Sequence, residues 1–111
     1  MPPSQSGKIL RIHISEGDQY QGKPLYEAIV SRCRDLQIAG ATVFQGLEGY
    51  GETAEIHRAH LVHSDRPIVI VIVDQADKLD GLVTALEPMI GSGLMALSVV
   101  EMVRVQKSQG T

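Results

Sequence analysis

One stretch decides the fold of this chain: Pro67-Ile68-Val69-Ile70-Val71-Ile72-Val73. Every residue after the proline is β-branched and apolar. Because β-branched side chains favour extended backbone over helix, the stretch is predicted to be a strand. It is apolar on both faces, so we expect it to be buried on both sides.

Three further strands are predicted around it. Lys8 to Ile14 alternates between apolar and polar residues, which is typical of a half-buried strand. A second strand covers Ala41 to Phe44 or Gln45. The last strand lies within Leu94 to Val105, and a break in it is expected near Ser98.

Two helices are predicted between these strands. The first opens at Pro24, where the missing N–H costs nothing, and Gly40 is expected to stop it. Its apolar stripe consists of Leu25, Ala28, Ile29, Cys33 and Leu36. Asp74 and Asp77 are candidate N-caps of the second helix, which Pro88 is expected to interrupt. The stripe of this helix consists of Leu79, Leu82, Val83, Leu86 and Ile90.

The predicted order is therefore strand, helix, strand, strand, helix, strand. This is the ferredoxin-like βαββαβ sandwich of the α+β class, with both helices on one face of a four-stranded antiparallel sheet. A chain of 111 residues is one domain. We expect the domain to cover residues 8–105, with loose tails at residues 1–7 and 106–111.

A long irregular segment, residues 47–66, separates the second and third strands. Gly46, Gly49 and Gly51 mark its beginning, and residues 52–66 are polar. Long irregular segments in small domains are usually functional or disordered. We predict a mobile loop that the frame presents to a small ligand or a partner protein. The glycines could also offer backbone N–H groups to an anion.

Composition argues against several functions. The formal net charge is −3, and no block of Lys or Arg provides the basic patch that nucleic-acid binding needs. No apolar run is long enough to span a membrane. Cys33 is the single cysteine, which fits a reducing compartment, and its place on the first helix favours a buried packing role. The N-terminus lacks a hydrophobic segment, so we expect a cytoplasmic protein.

The apolar sheet also predicts assembly. Two helices cover one face only, yet residues 68–73 and most of 98–103 are apolar. The uncovered face would expose an apolar patch of a kind that monomers rarely carry. We therefore predict a homo-oligomer whose sheets pack against one another. The alternative is that the long loop folds back over this face.

Three segments resemble the bacterial PII-like proteins long classed as a domain of unknown function, in the GlnB-like superfamily. They are Gly22-Lys23-Pro24-Leu25-Tyr26-Glu27-Ala28, Ala39-Gly40-Ala41-Thr42-Val43 and Pro67-Ile68-Val69-Ile70-Val71-Ile72-Val73-Asp74. A more distant likeness to the PII signalling proteins lies in Gly40–Gly51, which is similar to the strand entering the PII T-loop. Ile90-Gly91-Ser92-Gly93 and the strand after it resemble the PII B-loop region.

The resemblance implies a homotrimer that binds a small anionic effector, such as an adenine nucleotide, in clefts between subunits. It also implies a mobile T-loop that controls a partner enzyme or membrane transporter. The ligand-binding residues it indicates are Thr42, Gly49, Tyr50, Gly51, Gly91, Gly93 and Arg104. Leu94 and Glu52 stand where PII proteins have basic residues, which leaves Arg104 and Lys107 as phosphate partners. Arg104 could instead pair with Glu101 or with a neighbouring subunit.

Other functions compete with this one. His57, His60 and His63 suggest a divalent-metal-binding trimer similar to CutA, although solvated loop histidines fit the sequence better. A dimeric α+β-barrel enzyme is a third alternative. We predict no enzyme and no catalytic residues, because nothing resembles a nucleophile elbow or a fixed acid–base pair. No metal site is assigned, and no cofactor is predicted beyond the nucleotide effector.

Overall fold

The computed structural model of the chain describes residues 3–50, 56–57 and 66–105. Ten strands and helices follow in chain order: β1 (Gln5–Ser15), β2 (Gln19–Tyr20), β3 (Lys23–Pro24), α1 (Leu25–Asp35), β4 (Ala41–Gln45), β5 (Gly49–Tyr50), β6 (Ile56–His57), β7 (Pro67–Gln75), α2 (Ala76–Leu86) and β8 (Leu94–Met102). A short 3-10 helix, Glu87–Met89, follows α2 directly. Within the described residues, neither helix is long and apolar enough to cross a membrane.

Four of the strands form one antiparallel sheet in the order β4-β7-β1-β8. The strands β2 and β3 form a small hairpin, and β5 pairs with β6. The predicted ferredoxin-like α+β fold is therefore confirmed. The sheet order places β7 and β1 at the centre, and β4 and β8 at the two edges.

The core lies between the sheet and the two helices. The side chains that face it from the central strands are Leu10, Ile12, Ile14, Ile68, Ile70 and Ile72. The helices contribute Leu25, Ile29, Cys33, Leu79, Leu82 and Leu86. Burial raises the pKa of the Cys33 thiol to about 11, so the thiol stays protonated at neutral pH. The packing role predicted for this cysteine agrees with that position.

Several predicted boundaries need correction. Strand β1 begins at Gln5 rather than Lys8, because residues Gln5 to Gly7 pair with β8. Strand β8 runs without a break through Ser98. Helix α1 ends at Asp35, before Gly40, and the left-handed residue behind its end is Gln37, with φ of 58°. As a result, Leu36 is left 42% exposed instead of continuing the buried stripe.

Asp74 does not cap α2, contrary to the prediction. It is the last inward-facing residue of β7 and is 3% exposed. Its carboxylate accepts hydrogen bonds from the backbone N–H groups of Ala39, at 2.9 Å, and of Gln75, at 2.7 Å. Because Ala39 lies just before β4, Asp74 fastens the start of that edge strand to the end of β7.

We expect Asp74→Ala to lower the free energy of unfolding by about 2 kcal/mol, because it removes the acceptor for two backbone N–H groups. Asp74→Asn keeps one acceptor oxygen and should cost less. Urea denaturation followed by circular dichroism measures both changes. Asp77→Ala is the control, since Asp77 is exposed, and it should shift stability by no more than about 0.5 kcal/mol. Equal losses for Asp74→Ala and Asp77→Ala would contradict the fastening role.

The face of the sheet away from the helices, called the open face below, carries many apolar side chains. The strand register places on it Ile9, Phe44, Val69, Val71, Val73, Leu94, Ala96 and Val100. Phe44 is 55% exposed, Leu94 57% and Val73 41%. The apolar surface predicted from the sequence is therefore present on the single chain. The alternative cover, residues 51–55 and 58–65 of the loop, lies outside the described residues.

Candidate functional site

The predicted B-loop segment borders a cavity of about 240 Å³ at one end of the sheet. The cavity is lined by Glu87, Ile90, Gly91, Ser92, Gly93 and Met95. The 3-10 helix ends at Met89, and the chain then turns through the two glycines into β8. The structure thus places Gly91 and Gly93, two of the predicted site residues, on a concave surface.

The two glycines meet different surroundings. A Cβ atom on Gly93 would lie 2.8 Å from the backbone oxygen of His13 and 3.1 Å from the side chains of Ile14 and Ile90. A Cβ atom on Gly91 would meet no atom within 4 Å. Position 93 therefore requires a glycine, because the loop packs closely against the end of β1 there, whereas position 91 does not.

The loop offers hydrogen-bond donors to the cavity. In the described part of the chain, the backbone N–H groups of Gly91 and Ser92 donate to no other residue. Successive free N–H groups in a turn form a concavity suited to an anion. The carboxylate of Glu87 lines the same cavity and is an acceptor, so it suits a hydroxyl or amino group and opposes a phosphate placed beside it.

The root of the long loop lies at the same end of the sheet. The N–H of Gly46 donates to the carbonyl of Pro67 at 2.7 Å, and the N–H of Glu16 donates to the carbonyl of Arg66 at 2.8 Å. The side-chain amide of Gln45 also donates to the Glu16 carboxylate. A Cβ atom on Gly46 would lie 2.6 Å from the Pro67 ring. These contacts hold the two ends of the loop together.

Within one chain, however, the loop root and the B-loop segment lie at opposite edges of the sheet. The root follows edge strand β4, whereas Gly93 precedes edge strand β8, and two strands lie between them. Three strand spacings amount to about 14 Å. Thr42 lies on β4 as well, exposed on the open face. A single chain therefore holds the predicted site as two separate parts.

Arg104 is a third separate part. It follows the end of β8, and the nine residues of that strand separate it from Gly93. An extended strand of this length spans about 30 Å. Arg104 therefore lies at the far end of the sheet from the cavity of its own chain. The only ion pair among the described residues joins Lys8 to Asp80 at 2.8 Å, so Arg104 does not pair with Glu101 there.

Some predicted residues cannot be placed. Gly49 and Tyr50 belong to β5, of which only the backbone is described, and Gly51 lies outside the described residues. His60 and His63 also lie outside them, and only the backbone of His57 is described. Elsewhere in the described ranges, no cluster of three metal-ligating side chains occurs.

Sequence reasoning did not predict four residues of the cavity as ligand-binding: Glu87, Ile90, Ser92 and Met95. Ile90 and Ser92 belong to the segment that resembles the PII B-loop, so that resemblance could have indicated them. Glu87 precedes Pro88, which marked the end of the helix but gave no sign that the turn would face a cavity. Met95 is one of several similar apolar residues of β8, and no sequence signal distinguishes it.

Comparison with known proteins gives one family and a common fold. The family model described as DUF190, uncharacterized ACR, matches residues 7–102. A UPF0166 protein of Aquifex aeolicus is 37% identical over an alignment of 100 residues that covers 86% of this chain and 92% of that protein.

Two solved structures extend the comparison. One is CPII, described as a nitrogen regulatory PII-like protein from Thiomonas intermedia K12, bound to ADP, AMP and bicarbonate. It aligns with a TM-score of 0.73 at 18% identity, over 94% of each chain. The other is the divalent ion tolerance protein CutA1 from Ehrlichia chaffeensis, with a TM-score of 0.57 at 14% identity, over 90% of this chain and 84% of that one. At these identities the two structures share the fold with this chain.

Proposed function

This chain belongs to the DUF190 family, and from that premise we propose that it is a PII-like regulatory protein of the cytoplasm. In this proposal a homotrimer binds a small anionic effector, an adenine nucleotide, in the clefts between its subunits. Binding orders the long loop and changes the affinity of that loop for a partner enzyme or membrane transporter. The protein catalyses no reaction.

The observation that carries the proposal is the separation of the site within one chain. In a ring of identical subunits, each contact joins two different surfaces of neighbouring copies. If the β8 edge of one copy lies beside the β4 edge of the next, Gly91 and Gly93 come next to the loop root of the neighbour. The ring thereby completes a cleft that no single copy contains, with Thr42 and the loop root on its other wall. Every copy in this arrangement holds Arg104 at the far end of its sheet, so we do not place Arg104 in the cleft.

The apolar open face supports the same assembly. Its exposed apolar side chains, including Phe44 and Leu94, would be removed from water when copies pack together. Each square ångström of apolar surface buried in this way contributes roughly 25 cal/mol. Assembly is therefore favoured by the surface that also defines the clefts.

The choice of effector follows from the chemistry of the cavity and from a structural relative. Free N–H groups at Gly91 and Ser92 suit phosphate oxygens, whereas the carboxylate of Glu87 suits a hydroxyl or an amino group. A nucleotide carries all of these groups. CPII, which has the same fold, was crystallised with ADP and AMP.

The two glycines of the B-loop segment provide the test. We expect Gly93→Ala to weaken nucleotide binding at least tenfold, because its methyl group would push the loop away from the His13 carbonyl. Gly91→Ala is the graded comparison and should weaken binding less than Gly93→Ala, since it keeps the backbone N–H and its methyl group displaces no atom of the chain. Isothermal titration with ATP, ADP and AMP measures both variants against the unsubstituted protein.

Two results would contradict the proposal. If none of the three nucleotides produced heat with the unsubstituted protein, the assignment of a nucleotide effector would be wrong. If both glycine variants bound as well as the unsubstituted protein, the ligand would lie away from this cavity. Circular dichroism of Gly93→Ala confirms that any loss does not come from unfolding.

A further inference from the structure

We infer that the open face binds a small oxyanion between copies of this chain, through the guanidinium group of Arg11 with His13 beside it. The inference rests on the assembly in the proposed function, because it concerns the surface that assembly covers. It adds a second site, centred on Arg11 rather than on the B-loop segment, with phosphate-like or carboxylate anions as its ligand class.

The strand register places Arg11 at the middle of the open face. Its neighbours across the sheet are Val71 on β7 and Ala96 on β8, and Thr42 lies beyond Val71 in the same row. The next row toward the loop end places His13 between Val69 and Leu94. Arg11 and His13 are both exposed in the single chain. Their polar ends thus project from an otherwise apolar surface.

No acidic residue of the sheet shares this face. The strand positions on it are Gln5, Gly7, Ile9, Arg11, His13 and Ser15 from β1, Thr42 and Phe44 from β4, Pro67, Val69, Val71, Val73 and Gln75 from β7, and Leu94, Ala96, Ser98, Val100 and Met102 from β8. Among these strand residues there is an arginine but no aspartate or glutamate. The formal net charge of the whole chain is −3, so the positive charge on this face is opposite in sign to the net charge of the protein.

A second copy that packs its own open face here brings the same set of residues. Each added copy contributes another Arg11 and no strand carboxylate to pair with it. Removing guanidinium groups from water without a counter-charge is strongly unfavourable. The covered face therefore needs an anion.

The geometry of arginine defines the kind of anion. Its planar group donates two parallel hydrogen bonds, which match two oxygens of one phosphate, sulfate or carboxylate. Arginine groups from neighbouring copies could share a single such ion, and the imidazole of His13 adds a further donor nearby.

The test compares assembly in the presence and absence of phosphate. Sedimentation equilibrium of the full-length protein is measured at constant ionic strength, with phosphate replacing a bulky organic buffer anion. We expect phosphate to tighten the assembly of the unsubstituted protein at least tenfold. Arg11→Met should abolish this response and assemble well without phosphate, because an apolar side chain of similar size removes the buried charge.

Two further variants are controls. Arg34→Met removes an exposed arginine of α1, away from the open face, and should keep the full response to phosphate. Arg11→Lys retains the charge without the two-donor geometry, so it should respond more weakly than arginine. It also serves as the charged variant if Arg11→Met fails to fold. Crystals soaked in bromide provide a direct view, with an anomalous peak expected beside Arg11.

The outcomes separate this inference from the proposed function. Two results would overturn the anion site and leave the regulatory proposal standing. In the first, phosphate does not change the assembly of the unsubstituted protein. In the second, Arg11→Met responds to phosphate as the unsubstituted protein does. If the protein sedimented as a monomer both with and without phosphate, the proposed assembly and the anion site that depends on it would both be wrong.

Discussion

Val73→Glu is expected to convert the assembly into separate folded chains. Val73 is on the open face, opposite Ile9, and is 41% exposed in the single chain. A glutamate there remains in water while the chain is alone, so folding should be preserved. In the proposed assembly each copy would have to remove this carboxylate from water, which costs several kcal/mol per subunit and is repaid only in part by Arg11, its diagonal neighbour on the face.

Leu36→Glu is the matched control for this result. Leu36 follows the end of α1, on the helix side of the sheet, and is 42% exposed, almost the same as Val73. The same chemical change there should leave the assembly intact. Sedimentation velocity at micromolar concentration gives the mass of each variant, and circular dichroism reports its fold. If Val73→Glu sedimented as the unsubstituted protein does, the open face would not be the assembly surface.

The second large effect is expected in the core. Ile70→Ala should lower the free energy of unfolding by about 3 kcal/mol, since the truncation removes buried methyl groups and leaves a cavity. Ile70 is fully buried, and it lies on β7 between two strands that both pack against it. Few positions in the chain combine central placement and burial to the same degree.

Ile70→Val provides a graded comparison and should cost about 1 kcal/mol. Val99→Ala, at an exposed edge position, should stay within about 0.5 kcal/mol. Urea unfolding must be measured at one protein concentration, because association stabilises the folded state by mass action. Equal losses for Ile70→Ala and Val99→Ala would show that β7 is not at the centre of the core.

The fold could be predicted because the strongest sequence signals are local and repeat along each element. The alternation of β1 and the β-branched run of β7 each determine a strand without knowledge of its neighbours. Their order with two amphipathic helices then leaves few arrangements. The exposed apolar face could be predicted because two helices can cover only one face of the sheet.

The errors arose where a distant contact decided the local conformation. An aspartate before a helix resembles an N-cap, yet Asp74 bonds to Ala39, which lies 35 positions away in the chain. Gly40 resembles a helix stop, yet Gln37 adopts the left-handed conformation that ends α1. The sequence did not predict the hairpin of β2 and β3, because strands of two residues are too short to show a periodic pattern.

The sequence could name candidate site residues, but it could not give their geometry. The resemblance to the PII B-loop indicated the segment, but nothing in the sequence shows that Gly93 packs against His13 while Gly91 does not. The distance between Gly93 and Arg104 depends on β8 running straight through Ser98, where a break was expected. Gly93 and Arg104 were therefore predicted to share one site, although β8 holds them at opposite ends of the sheet.

The hydrogen bonds that fasten Gly46 to Pro67 and Glu16 to Arg66 have a consequence for evolution and engineering. They fix the entry and exit points of the intervening segment independently of its content. Doubling the length of a flexible segment closed in this way costs only about 0.6 kcal/mol. The scaffold can thus accept a foreign peptide at this position, and descendants of one ancestral frame could acquire new targets by exchanging that insert alone.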